Sequence, residues 1–199
     1  MADEIKSERR TLYTGLIEEY FSSKTFIMSA VRVALPDSEG GGFREHPEWT
    51  ERVYQVSLLN RSREPISAIF NFLDDKKEDG EIFYYHLFPS RLVSPEGSES
   101  QALITMEQDI NSWLEGKVFT TPEILLNSGK ENGEINSLLS NRPYKFVSVR
   151  ADDASMFSEI SFLDGREPKS PPFRFFNLLE SLEMPAEEIA RRMKKKQEQ

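Results

Sequence analysis

The chain has no cysteine, and this absence excludes several kinds of site at once. A disulfide-held scaffold, a thiolate metal site and a cysteine nucleophile are all ruled out, and the composition fits the cytoplasm or another reducing intracellular compartment. Histidine is also scarce, because the chain contains only His46 and His86. Neither has a spacing typical of metal ligands such as HExxH, so we predict no metal site and interpret His86 as an ordinary strand histidine.

Long apolar runs and an excess of positive charge are missing as well. No run approaches the roughly 18–20 apolar residues that a membrane-spanning helix needs, and the start, MADEIKSERR, lacks the apolar part of a secretory signal. The 34 acidic residues outnumber the 25 basic ones and give a net charge of −9. This balance disfavours a nucleic acid partner, since binding to the phosphate backbone depends on clustered lysine and arginine.

Aromatic residues are plentiful, with 14 Phe and 6 Tyr among 199 residues, and many of them lie in residues 48–89. This stretch contains three consecutive β runs, at 49–59, 66–73 and 81–88, separated by turn-forming residues. Each run is rich in Val, Ile, Phe and Tyr, which suit a half-buried pleated surface. The pattern predicts an antiparallel meander with one packed face.

The rest of the chain alternates between further β runs and amphipathic segments. Strands are predicted at 25–35, 144–150 and 156–163, and helices at 5–21, 101–115, 173–182 and 185–196. No repeat of fixed period is visible. Six or more β runs framed by helices favour an α+β or barrel-like domain over residues 1–172, with a C-terminal helical tail over 173–199.

Three glutamates within β runs are candidates for acid–base chemistry: Glu51, Glu81 and Glu159. Glu51 is flanked at strand parity by Trp49 and Val53, an environment that would raise the pKa of a carboxyl group unless an arginine pairs with it. Arg32 is a natural partner if the first two strands are neighbours. The alternative is that these glutamates are solvent-facing strand residues.

The order of several short motifs resembles that of the T-type phycobiliprotein lyases. In that family a helix ends in a motif of a small residue followed by Phe-Ser. An extended run that contains an arginine then leads into a proline turn, and an EQAY run follows. The corresponding runs here are GLIEEYFSS, AVRVALP and ERVY, followed by EPISAIF, EIFYYHL, SFLDGRE and PPFRF.

The resemblance implies a lipocalin-like antiparallel barrel that attaches a bilin to a cysteine of a phycobiliprotein subunit. Arg32 or Arg166 would then meet the bilin propionates, Tyr54 or Tyr84 would stack on a pyrrole ring, and Glu51 would handle protons as the acceptor cysteine adds. The bilin is a ligand to be transferred, so no permanently bound cofactor is implied. The nucleophile belongs to the acceptor protein, so a lyase without cysteine is chemically consistent.

A second hypothesis needs no enzyme activity. An acidic adaptor, chaperone or inhibitor would act through protein–protein contacts, using the edge of the meander or the predicted terminal helices. This hypothesis predicts an exposed apolar patch on the segment 173–182.

Overall fold

The computed structural model describes most of the chain. The described residues are 10–34, 43–62, 66–76, 78–93, 104–122, 125–126, 134–135, 139–152, 155–165 and 173–197. The chain divides into two compact units. The N-unit holds residues 16–113 and 149–157, and the C-unit holds residues 1–15, 114–148 and 158–199.

The first half of the chain supplies seven strands. They are β1 (Phe26–Ile27), β2 (Arg32–Ala34), β3 (Phe43–Glu45), β4 (Val53–Asn60), β5 (Ser67–Phe72), β6 (Asp79–Phe83) and β7 (Arg91–Leu92). Five of them form an antiparallel sheet in the order β6-β5-β4-β1-β7, and β2 pairs with β3 separately. The longest pairing in this sheet joins β4 to β5, and the predicted meander runs from the central strand β4 to the edge strand β6.

Side-chain alternation along β4 changes at a bulge. Tyr54 and Val56 are buried, the pairing register shifts between Val56 and Leu58, and after it Leu59 is buried while Leu58 is 43% exposed. A bulge inserts one residue, which moves every later side chain to the opposite face. The facing strand β5 buries Phe70, whose ring lies edge-on to Tyr54 at 5.4 Å.

The second half of the chain supplies seven more strands. They are β8 (Phe119–Thr120), β9 (Leu125–Leu126), β10 (Glu134–Ile135), β11 (Pro143–Ala151), β12 (Met156–Phe162), β13 (Phe173–Arg174) and β14 (Leu182–Glu183). Five form a second antiparallel sheet in the order β13-β12-β11-β8-β14, and β9 pairs with β10.

The helices are short. α1 (Leu12–Gly15) continues as a π-helical turn (Leu16–Tyr20) and a 3-10 turn (Phe21–Ser23), while α2 (Met106–Leu114) and α3 (Ala186–Gln197) are regular. Two further 3-10 turns span Tyr84–Leu87 and Phe175–Leu178. The buried residues of α2 are Met106, Ile110 and Leu114, at the helical spacing that the sequence predicts.

The two halves have the same order of elements. Each runs from a helix to a short strand, a small two-stranded insert, three strands, a 3-10 turn and a final short strand. In each, the first short strand lies between the first long strand and the last short one. We call residues 10–93 the first repeat and residues 104–184 the second repeat.

The pairing register aligns the repeats residue by residue. Phe26 faces Tyr54 in the first repeat, as Phe119 faces Tyr144 in the second. The helix starts also correspond: the amide of Leu12 donates to the carbonyl of Ser181 at 2.8 Å, and the amide of Met106 donates to that of Ser90 at 2.7 Å. Leu12 and Met106 are therefore counterparts, and so are Ser181 and Ser90.

An arginine–aspartate pair over a phenylalanine ring occurs once in each repeat. The two sets are Arg52, Asp74 and Phe72, and Arg142, Asp164 and Phe162. In both, Nε and Nη2 donate to the two carboxylate oxygens at 2.6 to 2.8 Å. The guanidinium carbon lies 3.6 Å from the ring centre in each. Such bidentate, stacked geometry suits arginine specifically.

The residue before each arginine has a left-handed backbone. Glu51 has φ 61° and Asn141 has φ 56°, and their amides donate to the carbonyls of Met28 and Thr121 at 2.8 and 3.0 Å. We conclude that the two repeats are an internal duplication. No fixed period marks it in the sequence, because the loops between counterparts differ in length.

The α+β class with antiparallel sheets is confirmed, and the strands predicted at 66–73, 144–150 and 156–163 are present. The first meander run is shorter than predicted, since residues 47–51 form a turn before β4. The third ends at Phe83, where the chain enters a 3-10 turn. The closure into a lipocalin-like barrel is not confirmed: among the described residues, β6 and β7 lie at open edges of the first sheet.

The predicted pair of C-terminal helices is wrong in its first member. Residues 173–182 form β13, a 3-10 turn and the start of β14, and only α3 is helical. The apolar residues Phe175, Leu178 and Leu179 resemble a helical stripe, but the strands on either side pair with the second sheet. The predicted boundary at residue 172 accordingly falls between β12 and β13 of one sheet.

Candidate functional site

A cavity of about 540 Å³ lies within the N-unit. Its described lining residues are Ala30, Val31, Tyr85, His86, Phe88, Pro89, Thr105, Glu107, Ala151 and Asp152. The volume falls within the range of about 300–1,000 Å³ that is usual for small-molecule sites. The lining combines aromatic rings, an imidazole and two carboxylates.

The 3-10 turn Tyr84–Leu87 presents two of these side chains to the cavity. A 3-10 helix has three residues per turn, so Tyr84 and Leu87 share one face, and both are buried in the core. Tyr85 and His86 lie on the other side and line the cavity. Tyr85 stacks on Phe83 with ring centres 5.8 Å apart, which holds its ring in place.

The start of α2 positions Glu107. Thr105 and Gln108 form a capping box: the amide of Thr105 donates to Oε1 of Gln108 at 2.9 Å, and the amide of Gln108 donates to Oγ1 of Thr105 at 3.2 Å. Glu107 lies in the first helical turn, where the helix dipole favours a negative charge. Its Oε2 accepts a hydrogen bond from the amide of Ala151 at 3.2 Å.

Asp152 brings a second carboxylate to the same cavity. The amide of Ser155 donates to its Oδ1 at 2.7 Å, which fixes the carboxylate at the turn between β11 and β12. Burial raises the pKa of Tyr85, and the charge of Asp152 raises it further. The Tyr85 phenol and the Asp152 carboxylate are therefore electrostatically coupled across the lining.

The C-unit builds the equivalent surface from different residues. The counterparts of Tyr85 and His86 in the 3-10 turn are Phe176 and Asn177. The counterpart of Glu107 is Tyr13, as the alignment of Met106 with Leu12 requires. The imidazole of His86 and the carboxylate of Glu107 in the N-unit thus have no imidazole or carboxylate equivalent in the C-unit.

The structure does not bring the residues predicted from sequence into one pocket. The side chain of Glu51 is 65% exposed and forms an ion pair with Arg91. Tyr54 and Tyr84 are buried, at 0% and 4% exposure, and are not among the described residues that line the cavity. Arg32 lies in β2, with its side chain outside the described part of the structure, and Arg166 lies outside the described residues altogether.

Tyr54 and Tyr84 do lie near each other, together with Tyr20. Burial is the largest cause of a raised pKa for all three phenols. The charge of Asp109 adds to the effect at Tyr20, and the Tyr54 phenol adds to it at Tyr84. The hydroxyl of Tyr20 donates to the carbonyl of Met106 at 3.4 Å. These tyrosines remain protonated at neutral pH and form a polar cluster inside the core.

Sequence reasoning missed four lining residues that carry the chemistry: Tyr85, His86, Glu107 and Asp152. The prediction of a strand histidine at His86 is wrong, because the apolar and aromatic residues of the run 81–88 hide the change to a 3-10 turn. A signal was present in Pro89, which cannot continue a paired strand. Nothing local in the sequence links Asp152 to residues far earlier in the chain.

A metal centre and a membrane-spanning helix are both absent from the described residues. No group of three or more His, Asp or Glu side chains there is arranged to hold a metal ion. None of the helices in the described ranges has the length and apolar character needed to cross a membrane.

Comparisons with known proteins gave no match, whether with protein-family models, with curated proteins or with solved structures. The functional argument therefore rests on the site itself.

Proposed function

We propose that the protein binds a small organic cation in the N-unit cavity. The observation that carries the proposal is the difference between the two units, where Tyr85, His86 and Glu107 of the N-unit stand in place of Phe176, Asn177 and Tyr13 of the C-unit. Because the C-unit builds the same elements without these groups, folding does not require them. Polar groups that folding does not require, gathered at a cavity, are expected to serve binding.

An ammonium or guanidinium group matches this lining in charge and shape. Glu107 and Asp152 supply negative charge, and the described lining contains neither lysine nor arginine. Tyr85 adds an aromatic ring to the lining, and a cation over such a ring is stabilised by about 0.5–2 kcal/mol. The net charge of −9 further favours the approach of a cation.

A series of related ligands that differ in charge tests the proposal by calorimetry. Tyramine, para-ethylphenol and hydroxyphenylpropionate share a ring and a chain but carry positive, zero and negative charge. We expect tyramine to bind at least tenfold more tightly than the neutral phenol, a difference of about 1.4 kcal/mol or more. Binding of the anion that equals or exceeds binding of tyramine would contradict the proposal.

Variants locate the binding. Glu107→Gln keeps an acceptor for the Ala151 amide but removes the charge, and His86→Asn installs the residue of the second repeat. We expect each to weaken tyramine binding, Glu107→Gln by about tenfold or more, since hydrogen bonds to charged groups contribute about 1.5–3 kcal/mol. Glu180→Gln, which removes an exposed carboxylate of the second repeat, is the matched control and should leave binding unchanged.

Bilin binding for transfer to a phycobiliprotein is a second candidate, and one position favours it. Arg32 directly follows Ala30 and Val31, which line the cavity, so it is placed in sequence to supply a cation for a propionate. A lipocalin-like enclosure of the ligand belongs to this candidate and is not needed by the cation site. Titration with phycocyanobilin tests it: a shifted absorbance band that Arg32→Gln abolishes would support bilin, and no shift at saturation would remove it.

The adaptor hypothesis loses one of its two predicted surfaces. It predicted an exposed apolar patch on residues 173–182, whereas Phe175, Leu178 and Leu179 are buried. The other surface, the edge of the meander, is strand β6 at the end of the first sheet. An adaptor role therefore stays a prediction that depends on this edge.

A further inference from the structure

Three hydroxyl groups are buried together in the first repeat without hydrogen-bond partners among the described residues. They belong to Tyr54, Tyr84 and Ser90, whose exposures are 0%, 4% and 1%. A buried hydroxyl normally finds a partner in protein or ordered water, because leaving it unpaired is costly. Three such groups in one core therefore need a physical explanation.

The three groups face one region of the core. Hydrogen bonding toward the Ser90 hydroxyl opposes the effect of burial on the pKa of the Tyr54 phenol, although the geometry of the two hydroxyls is not that of a direct bond. The Tyr54 phenol in turn acts on the pKa of Tyr84. Phe26 packs on Tyr54, and Phe21 packs edge-on against Tyr84, with ring centres 5.9 Å apart in both pairs. Apolar rings thus enclose the polar groups.

The second repeat shows the same site in a closed form. There, the hydroxyl of Tyr144 donates directly to Oγ of Ser181 at 2.8 Å, and both residues are fully buried. The counterpart of Tyr84 is Phe175, which has no hydroxyl. The first repeat therefore differs by one added hydroxyl and by the loss of the direct tyrosine–serine bond. Both differences are explained if a small polar molecule lies between the three groups.

We propose that Tyr54, Tyr84 and Ser90 form an internal binding site for a single water molecule that the second repeat lacks. Buried waters typically make about three hydrogen bonds to otherwise unpaired polar groups, which is the number of hydroxyls gathered here. Hydroxyls both donate and accept, so they complement water and carry no net charge for an ion. The water would connect three parts of the first repeat: the 3-10 turn through Tyr84, β4 through Tyr54, and the residue before β7, Ser90.

A high-resolution crystal structure of the full chain tests this directly. We expect one water oxygen within about 2.6–3.2 Å of Oη of Tyr54, Oη of Tyr84 and Oγ of Ser90. The Tyr144–Ser181 pair in the same crystal is the internal control and should show a direct bond with no water. A direct Tyr54–Ser90 bond without a water, or density too large for one water, would overturn the proposal.

The variant Tyr84→Phe copies the second repeat and adds an independent check. We expect the water to disappear and the Tyr54–Ser90 bond to form at a length near that of Tyr144–Ser181. A water that persists in the variant would refute the role of Tyr84. In solution, the hydroxyl proton of Tyr54 in the unmodified protein should show a nuclear Overhauser effect to water, and that of Tyr144 should show none. The absence of this effect at Tyr54 would also count against the site.

Discussion

The two repeats share a scaffold and differ in what they place on it. Both keep the arginine–aspartate pair over a phenylalanine, the left-handed residue before the arginine and the short strand with a buried phenylalanine. Only the N-unit places an imidazole and a carboxylate at the surface beside its 3-10 turn. The shared features are those that the fold needs, and the differing ones were free to acquire a function.

The two repeats also differ in the number of tyrosine hydroxyls that they bury. The first repeat buries the hydroxyls of Tyr20, Tyr54 and Tyr84, whereas the second buries that of Tyr144 and bonds it to Ser181. Buried polar groups contribute to specificity when they are satisfied and weaken a core when they are not. The first repeat should therefore be the more sensitive of the two to changes in protonation.

Alkaline pH should produce the largest effect. Burial raises the pKa of Tyr20, Tyr54, Tyr84 and Tyr144 above 10, the value of an exposed phenol. The stability that depends on the neutral phenols is complete below about pH 10, where the unfolded state begins to ionise, and is lost as the pH rises toward the native values. We expect ionisation, followed by ultraviolet difference absorbance, to coincide with unfolding followed by circular dichroism.

A substitution in the first repeat tests the contribution of one buried phenol to alkaline unfolding. Tyr84→Phe should shift alkaline unfolding to higher pH, because it removes a buried ionisable group. Independent ionisation of these four tyrosines in a protein that is still folded would contradict the buried cluster.

Removing the phenylalanine of either short central strand should be the next largest effect. Phe26 and Phe119 are fully buried counterparts, so Phe26→Ala and Phe119→Ala should each lower the free energy of unfolding by about 3–5 kcal/mol. Urea denaturation measures both, and Leu58→Ala at an exposed position is the control, with a change of about 0.5 kcal/mol or less. A small loss for only one of the two phenylalanines would break the equivalence of the repeats.

A smaller difference is expected between equivalent tyrosines. Tyr144→Phe removes the 2.8 Å bond to Ser181 and leaves that buried hydroxyl without it, so we expect a loss of about 1–3 kcal/mol. Tyr54→Phe removes only a bond to the proposed water, which keeps Tyr84 and Ser90 as partners, and should cost less. The same denaturation curves decide the order, and a larger loss for Tyr54→Phe would reverse our view of the two pairs.

Acid pH should give the smallest effect. Hydrogen bonds from Arg52 hold the pKa of Asp74 below its usual value, so this pair stabilises the fold above about pH 4 and the contribution is lost as the pH falls through the native pKa. Asp74→Asn should flatten the acid limb of the stability curve. Because the pair is solvent-accessible, salt should weaken the effect. An acid limb unchanged in the variant would show that Asp74 does not contribute.

The sequence predicted those parts of the fold in which a local pattern determines structure. The run 66–73 became β5, and the stripe Met106, Ile110 and Leu114 became the buried face of α2. Local pattern failed at 173–182, where apolar spacing suggested a helix but pairing with distant strands produced β13 and β14. Tertiary pairing overrode local periodicity there.

The candidate site was less predictable than the fold. Tyr54 is buried, and its predicted stacking on a pyrrole ring stays a prediction. Glu51 lies on the surface with Arg91, because a turn with a left-handed backbone precedes β4. The cavity depends on three stretches that are far apart in the chain, around Tyr85, Glu107 and Asp152. The duplication that distinguishes these residues became visible only through the strand register.

The central claim is that the N-unit carries a cation site and the C-unit does not. A nuclear magnetic resonance titration of the isotope-labelled protein with tyramine tests it most directly. We predict saturable shifts of the backbone amides of Tyr85, His86, Glu107 and Asp152, with no shifts at Phe176, Asn177 and Tyr13. Equal shifts at both sets, or none at the first set with tyramine in large excess, would contradict the account.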